Sequence, residues 1–356
     1  MQIATADGVL YGNYVYFSNV SSNSLFRINI ASEQIELLGF FPDEKIEAGF
    51  LHKRCFIYGE KLFFLPAHSR NIAIYDISTG LFSRIPFEND IEGEAILDAV
   101  KIESKIIIFP RNERCIPISL DMETLEFVEI SGFDTWLDRY VSHCNPEKFY
   151  RVSSNGKCIY FGLSETDLIV VWNYSTNTFR TYKTGMEKII NVLPVEGGCF
   201  FTVREKYGVG KLKIDDGSIE FFDINCDRVI DGNTYGCLFQ FNDGVGAAPA
   251  YGDYIHCFNN GCCFYKYKTS DDIKDKYKFY RYISVGSNIW LLPLVTGEIY
   301  VLKNDLTVHR ISLTADDDIQ LLYNRALTEE VFNENLIIGE NKEINLSDFV
   351  GYISNK

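Results

Sequence analysis

The run HCFNNGCC places His256, Cys257, Cys262 and Cys263 within eight positions, and two Cys with one His at that density can ligate zinc. The intervening Asn260-Gly261 is a two-residue hairpin signal of type I′. That hairpin predicts Asn259 opposite Cys262, Phe258 opposite Cys263 and Cys257 opposite Phe264. In this register the thiols do not converge, so the cysteines read as buried structural residues and no metal is expected. His143 and Cys144 are adjacent, which sends their side chains in different directions. They read as a solvated helix end rather than a catalytic pair.

Other constellations are missing. There is no G-x-S-x-G, no G-x-G-x-x-G after a strand, no G-x-x-x-x-G-K-[ST], no H-E-x-x-H and no EF-hand loop. Five histidines limit both catalysis and metal binding. Acid–base chemistry would fall to carboxylates, with Glu47, Glu92, Glu94 and Asp98 as candidates if two of them stand about 5 to 9 Å apart. No cofactor is implied.

The elements that must position these groups are repeated. SLFRINIASEQIELL from Ser24, NIAIYDISTGLFSRI from Asn71 and LIVVWNYSTNTFRTY from Leu168 each read as strand, polar turn, strand, and EIYVLKNDLTVHRI from Glu298 is a degenerate copy. Asn29, Asp76, Asn173 and Asn304 stand at the turn entrances, where an Asx side chain can bond the backbone two residues on. Upstream lies a Gly- or Glu-led apolar strand: GNYVYF, GEKLFF, ESKIII, GKCIYF, GGCFF, GDYIHC and GSNIWL. These seven runs centre on Tyr16, Phe63, Ile107, Tyr160, Phe200, His256 and Trp290, about 46 residues apart on average, a period of propeller blades. The second unit shows four strands, FLHKRCFIY, EKLFFLPA, NIAIYDI and LFSRIPF. The expected fold is an all-β, seven-bladed propeller of four-stranded blades.

The Y-D-x-x-T turn and the Gly-led aromatic strand resemble those of bacterial kelch-like β-propellers, from about Gly12 to Leu313. The kelch pattern of a Gly-Gly pair followed by spaced Tyr and Trp is not repeated, Gly197-Gly198 being the one pair placed to count. The Gly-His and Trp-Asp signature of WD40 repeats is also absent. The resemblance implies a scaffold and carries over no functional residue.

In such a blade the loop between the second and third strands shares a face with the loop entering the next blade, and that face usually carries function. The second-to-third-strand loops place Arg70, Arg111, Arg114 and Arg204 there. The blade-entry loops DEKIEAG and ENDIEGEA, with an insertion at Phe133, add Glu47, Glu92, Glu94, Trp136 and Arg139. An Arg and carboxylate mouth with one Trp suits a protein, a peptide or a polar small molecule such as a glycan. The expected function is non-catalytic recognition through this face, and the alternative is an enzyme using carboxylates at the channel mouth on a carbohydrate or small polar metabolite.

FDTWLDRYVSHCNPEK predicts a short helix, with Trp136, Leu137, Tyr140 and Val141 on one face. Residues 1–313 form the expected propeller. Residues 314–356 form an extension, in which two helices flank a strand NLIIGE and brace the ring. Each terminal blade is expected to come from a single stretch of chain.

The chain has 356 residues, 49 of them acidic against 34 basic, for a net charge of −15. Nucleic acid and anionic membranes require positive footprints, so neither is an expected partner. With no leader pattern, no span of about 18 apolar residues and ten Cys used mainly as small strand hydrophobes, the expected location is the cytoplasm.

Overall fold

The middle strands carry apolar residues on both alternating faces, Val15 and Phe17 on one and Tyr16 on the other, so each sheet must be covered twice. Stacking sheets around an axis does this. The computed structural model describes residues 2–87, 93–142, 145, 147–204, 206–224, 234–259, 262–269, 278–295 and 297–338, with side chains as far as 330.

These residues form a seven-bladed β-propeller. Each blade is a four-stranded antiparallel sheet in chain order: residues 8–39, 52–86, 96–129, 149–183, 189–223, 235–268 and 279–312. An apolar cluster fills every junction between neighbouring blades. Val15 and Phe17 point to blade 7, while Tyr16 points to blade 2.

The turns follow the Asx logic in three of the four copies. Asp76 Oδ1 accepts from the Ser78 and Thr79 amides at 3.0 and 3.1 Å, and Asn29 and Asn173 accept likewise. In the degenerate copy the part passes from Asn304 to Asp305, which accepts from the Thr307 amide at 2.9 Å.

Blade 6 departs from the repeat as read from sequence. GDYIHC belongs to its third strand (Tyr254–Asn259), and the second strand is GVGAAP (Gly244–Pro249). A side chain at Gly246 is barred because its Cβ would lie 2.0 Å from the Phe239 ring. The hairpin pairs Asn259 with Cys262 and Phe258 with Cys263 as expected, but a bulge then sets Cys257 against Tyr265 rather than Phe264. His256 and Cys257 are buried, whereas Cys262 and Cys263 are exposed because they sit on the outermost strand (Cys262–Lys268).

Two helices join the ring. α1 (Phe133–Leu137) buries Phe133 and Leu137 against blades 3 and 4. α2 (Asp317–Ile338) follows the last blade and absorbs Asn335–Ile338, which were expected as a strand; no Gly or Pro interrupts the run to stop the helix. The helix expected over residues 345–353 lies outside the described residues. Neither described helix is long and apolar enough to cross a membrane.

Each terminal blade is one continuous stretch, and among the described residues no strand is exchanged across the seam. Ile3, Phe17, Ile299 and Leu313 close the ring, aided by an isolated Gln2–Thr314 bridge and by the Thr5 amide donating to Pro293 O at 2.7 Å. α2 adds Ile319 to this cluster, and its Glu330 accepts from the Ile46 amide at 3.1 Å.

Candidate functional site

The innermost strands surround the channel, and strict alternation would turn every second residue away from it. Among the described residues, the innermost strands of blades 2 to 7 each begin with a one-residue register shift against their neighbour. Such bulges re-aim a side chain. Consecutive residues therefore both reach the channel: Lys53 with Arg54, Leu97 with Asp98, Tyr150 with Arg151, and Tyr280 with Arg281.

Asp98 holds the centre. Its side chain is fully buried, and its carboxylate accepts from Arg54 Nη1 at 2.8 Å, Arg281 Nη2 at 2.5 Å and the Val152 amide at 3.0 Å. Arg54 Nε also donates to Asp7 at 2.9 Å. Arg151 reaches across from blade 4 to donate to Tyr280 O and lies over the Tyr280 ring at 4.0 Å. Burial alone would raise the Asp98 carboxyl, but Arg281, Arg54, the Val152 amide and Lys53 together hold it far below the usual carboxylate range. It is a fixed anion, not the proton-exchanging group its sequence position suggested.

This charged layer divides the channel in two. Toward the loop-rich face lies a depression of about 210 Å³ lined by Lys53, Glu94, Arg111, Tyr150, Arg151 and Tyr280. There Lys53 Nζ donates to Glu94 at 2.5 Å, while Arg111 stands 3.7 Å from Glu94 and 3.0 Å from Glu147. Lys53 is held above the ordinary lysine value: burial opposes its charge, but Tyr280, Glu94 and Asp98 outweigh that. Toward the opposite face lies a second cavity of about 320 Å³.

Of the loop residues read from sequence, Glu94 and Arg111 meet at the mouth. Arg114 pairs with Asp134 of α1 at 3.1 Å. Trp136 is partly buried and stacks on Phe179, with centroids 4.3 Å apart and 10° between planes, so it serves packing more than the mouth. Arg70 and Arg139 are exposed, and Arg204 is half-buried, its amide donating to Lys188 O at 2.9 Å. Glu47 is exposed beside Tyr323 of α2. Glu92, His143 and Cys144 lie outside the described residues.

Lys53, Arg54, Arg151, Tyr280 and Arg281 were missed in the loop-centred reading. One signal was present: KFYR occurs at both Lys148 and Lys278, opening the innermost strands that face each other through Arg151 and Tyr280. His52 and His256 stand between blades rather than in the channel, bonded to Ser18 and Tyr235. Among the described residues no group of three or more His, Cys, Asp or Glu is placed to hold a metal ion.

No family model matches the chain, and no curated protein matches it. Solved structures do. A streptogramin B lyase is similar with a TM-score of 0.62 at 11% identity, over 83% of this chain and 92% of that one. Virginiamycin B lyase from Staphylococcus aureus gives 0.60 at 12%, over 83% and 95%. The extracellular domain of a one component system from B. thetaiotaomicron gives 0.58 at 10%, over 84% of this chain and 38% of that one. At these identities the likeness is one of fold alone, a propeller and nothing narrower.

Proposed function

We propose that the protein is a non-catalytic recognition propeller whose loop-rich face binds a protein or peptide, with the channel mouth receiving one charged side chain of that partner. The Lys53–Glu94–Arg111–Glu147 chain supports this reading. It sets charges of both signs, contributed by blades 2 and 3 and the entry to blade 4, around a depression with aromatic walls. A polypeptide offers both signs of charge on apolar stems, so it can replace one member of the chain without leaving another charge bare. Exposed Arg70 and Arg139 extend the same face.

Panning a random peptide library on the immobilised protein tests this. Enriched peptides should bind the parent and lose about tenfold or more in affinity to Arg111→Glu, with an unchanged melting point. Peptides that bind both forms equally would move the site elsewhere.

A second reading has one observation in its favour: Glu94 and Glu147 both approach Arg111 beside a cavity, as paired carboxylates of an enzyme acting on a carbohydrate or small polar metabolite would. Hydrolysis of chromogenic glycosides that vanishes in both Glu94→Gln and Glu147→Gln would replace the first reading with this one.

A further inference from the structure

The cavity on the face opposite the loops is lined by four cations, Arg54, Lys101, Arg151 and Arg281, and by one carboxylate, Asp7. Asp98 behind them brings the balance to four against two, an excess of positive charge inside a chain of net −15. Such an excess in a concave, low-dielectric site concentrates anions.

The hydrogen-bond inventory points the same way. Arg54 spends Nε on Asp7 and Nη1 on Asp98, and its Nη2 has no protein partner among the described residues. Lys101 Nζ donates to Ile57 O at 2.5 Å and meets no carboxylate among the described residues. Arg281 Nε is buried without a hydrogen-bond partner in the described structure. Ser154 Oγ accepts from the Gly156 amide at 2.9 Å, leaving its own O–H to donate. Donors from blades 2, 3 and 4 thus line a cavity that carries one carboxylate, and Arg281 of blade 7 adds its charge.

The geometry points to a second binding site, and we propose that this cavity takes a small metabolite bearing a carboxylate or phosphate oxyanion, entering from the face opposite the loops. At about 320 Å³ the space is roughly twice the ~150 Å³ that accommodates benzene, which sets the ligand at about a dozen non-hydrogen atoms. Arg54 and Lys101 supply the charge-assisted bonds and Ser154 orients the remainder. This site lies beyond the charged layer from the peptide-binding mouth and does not depend on that reading.

Isothermal titration with citrate and with inorganic phosphate as probes, and glucose as a neutral control, tests the proposal. At least one oxyanion should bind at a single site, more weakly at about 300 mM than at about 20 mM salt. Lys101→Gln, which removes the charge and keeps an N–H donor on a side chain one atom shorter, should weaken binding about tenfold, while Arg111→Glu at the other mouth leaves it unchanged. Ser154→Asp, which brings a negative charge to the rim, should also weaken it and serves if the lysine variant folds poorly. No saturable heat with either anion, equal binding of glucose, or parental affinity in a folded Lys101→Gln or Ser154→Asp protein would overturn the assignment.

Discussion

Neutralising Asp98 would strip Arg281 of its salt-bridge partner while Arg54 keeps Asp7. Asp98→Asn should therefore cost about 3–5 kcal/mol at neutral pH in denaturant titrations, the loss expected when a buried pair is broken from one side. Because the folded carboxyl is held low, its contribution is complete above the unfolded value near 3.9 and drains away as pH falls below it; the gap between parent and variant should shrink below about pH 4. The buried histidines act in a higher window. Burial lowers His52 to about 3, and burial with Lys266 lowers His256 to about 4, so the unfolded chain takes up protons near 6.5 that the folded protein refuses. Stability should be full above about pH 7 and fall with acidification, by about 1.4 kcal/mol per pH unit for each ring at the steepest, a slope that His52→Gln/His256→Gln should flatten between about pH 6 and about pH 4. Little of this centre was legible from residue types. Lys53 and Arg54 alternate in sequence as though one faced away, and only the repeated KFYR string hinted at paired charges inside the ring.

At the level of strands, the bulge at the inner-strand entrance of blades 2 to 7 decides what the channel contains, and nothing in HKRCF or KFYRV marks the extra residue. The blade count was legible because strands buried on both faces leave continuous apolar runs. Blade 6 broke the pattern, since GVGAAP yields its space to a neighbour's ring and keeps no large side chain of its own. Gly246→Ala should overpack Phe239 and cost about 1–3 kcal/mol by thermal or chemical unfolding, whereas adding the same methyl at Gly59, which faces open space, lacks that clash. At Gly59 the left-handed backbone still sets a smaller penalty of its own. A helix was expected at Phe133, but α1 ends at Leu137, short of Tyr140 and Val141 that were expected on its face, and Trp136, expected at the mouth, stacks on Phe179. Trp136→Ala should lower stability by about 1–3 kcal/mol and leave peptide binding within twofold, roughly, of the parent.

Over the whole molecule, the ring is closed side by side rather than by a shared blade. Residues 2 and 314 already touch, and blades 1 and 2 are joined by one connection. A permuted chain that starts at blade 2 and links the old ends should fold to a ring with the parent's circular dichroism; failure to fold would show that the seam needs free ends. Seam contacts that are mostly side chains against side chains also set how the protein responds to force. A handle on each end of the ring would pull across Gln2–Thr314 and the α2 contacts, loading few backbone hydrogen bonds at a time. Extension should then proceed as peeling from the clasp, one blade per step, with each step releasing roughly 150 Å of chain for about 46 residues, rather than as a single rupture. A propeller of this build is a bracelet fastened at one point, and a tug at the catch is where it should open first.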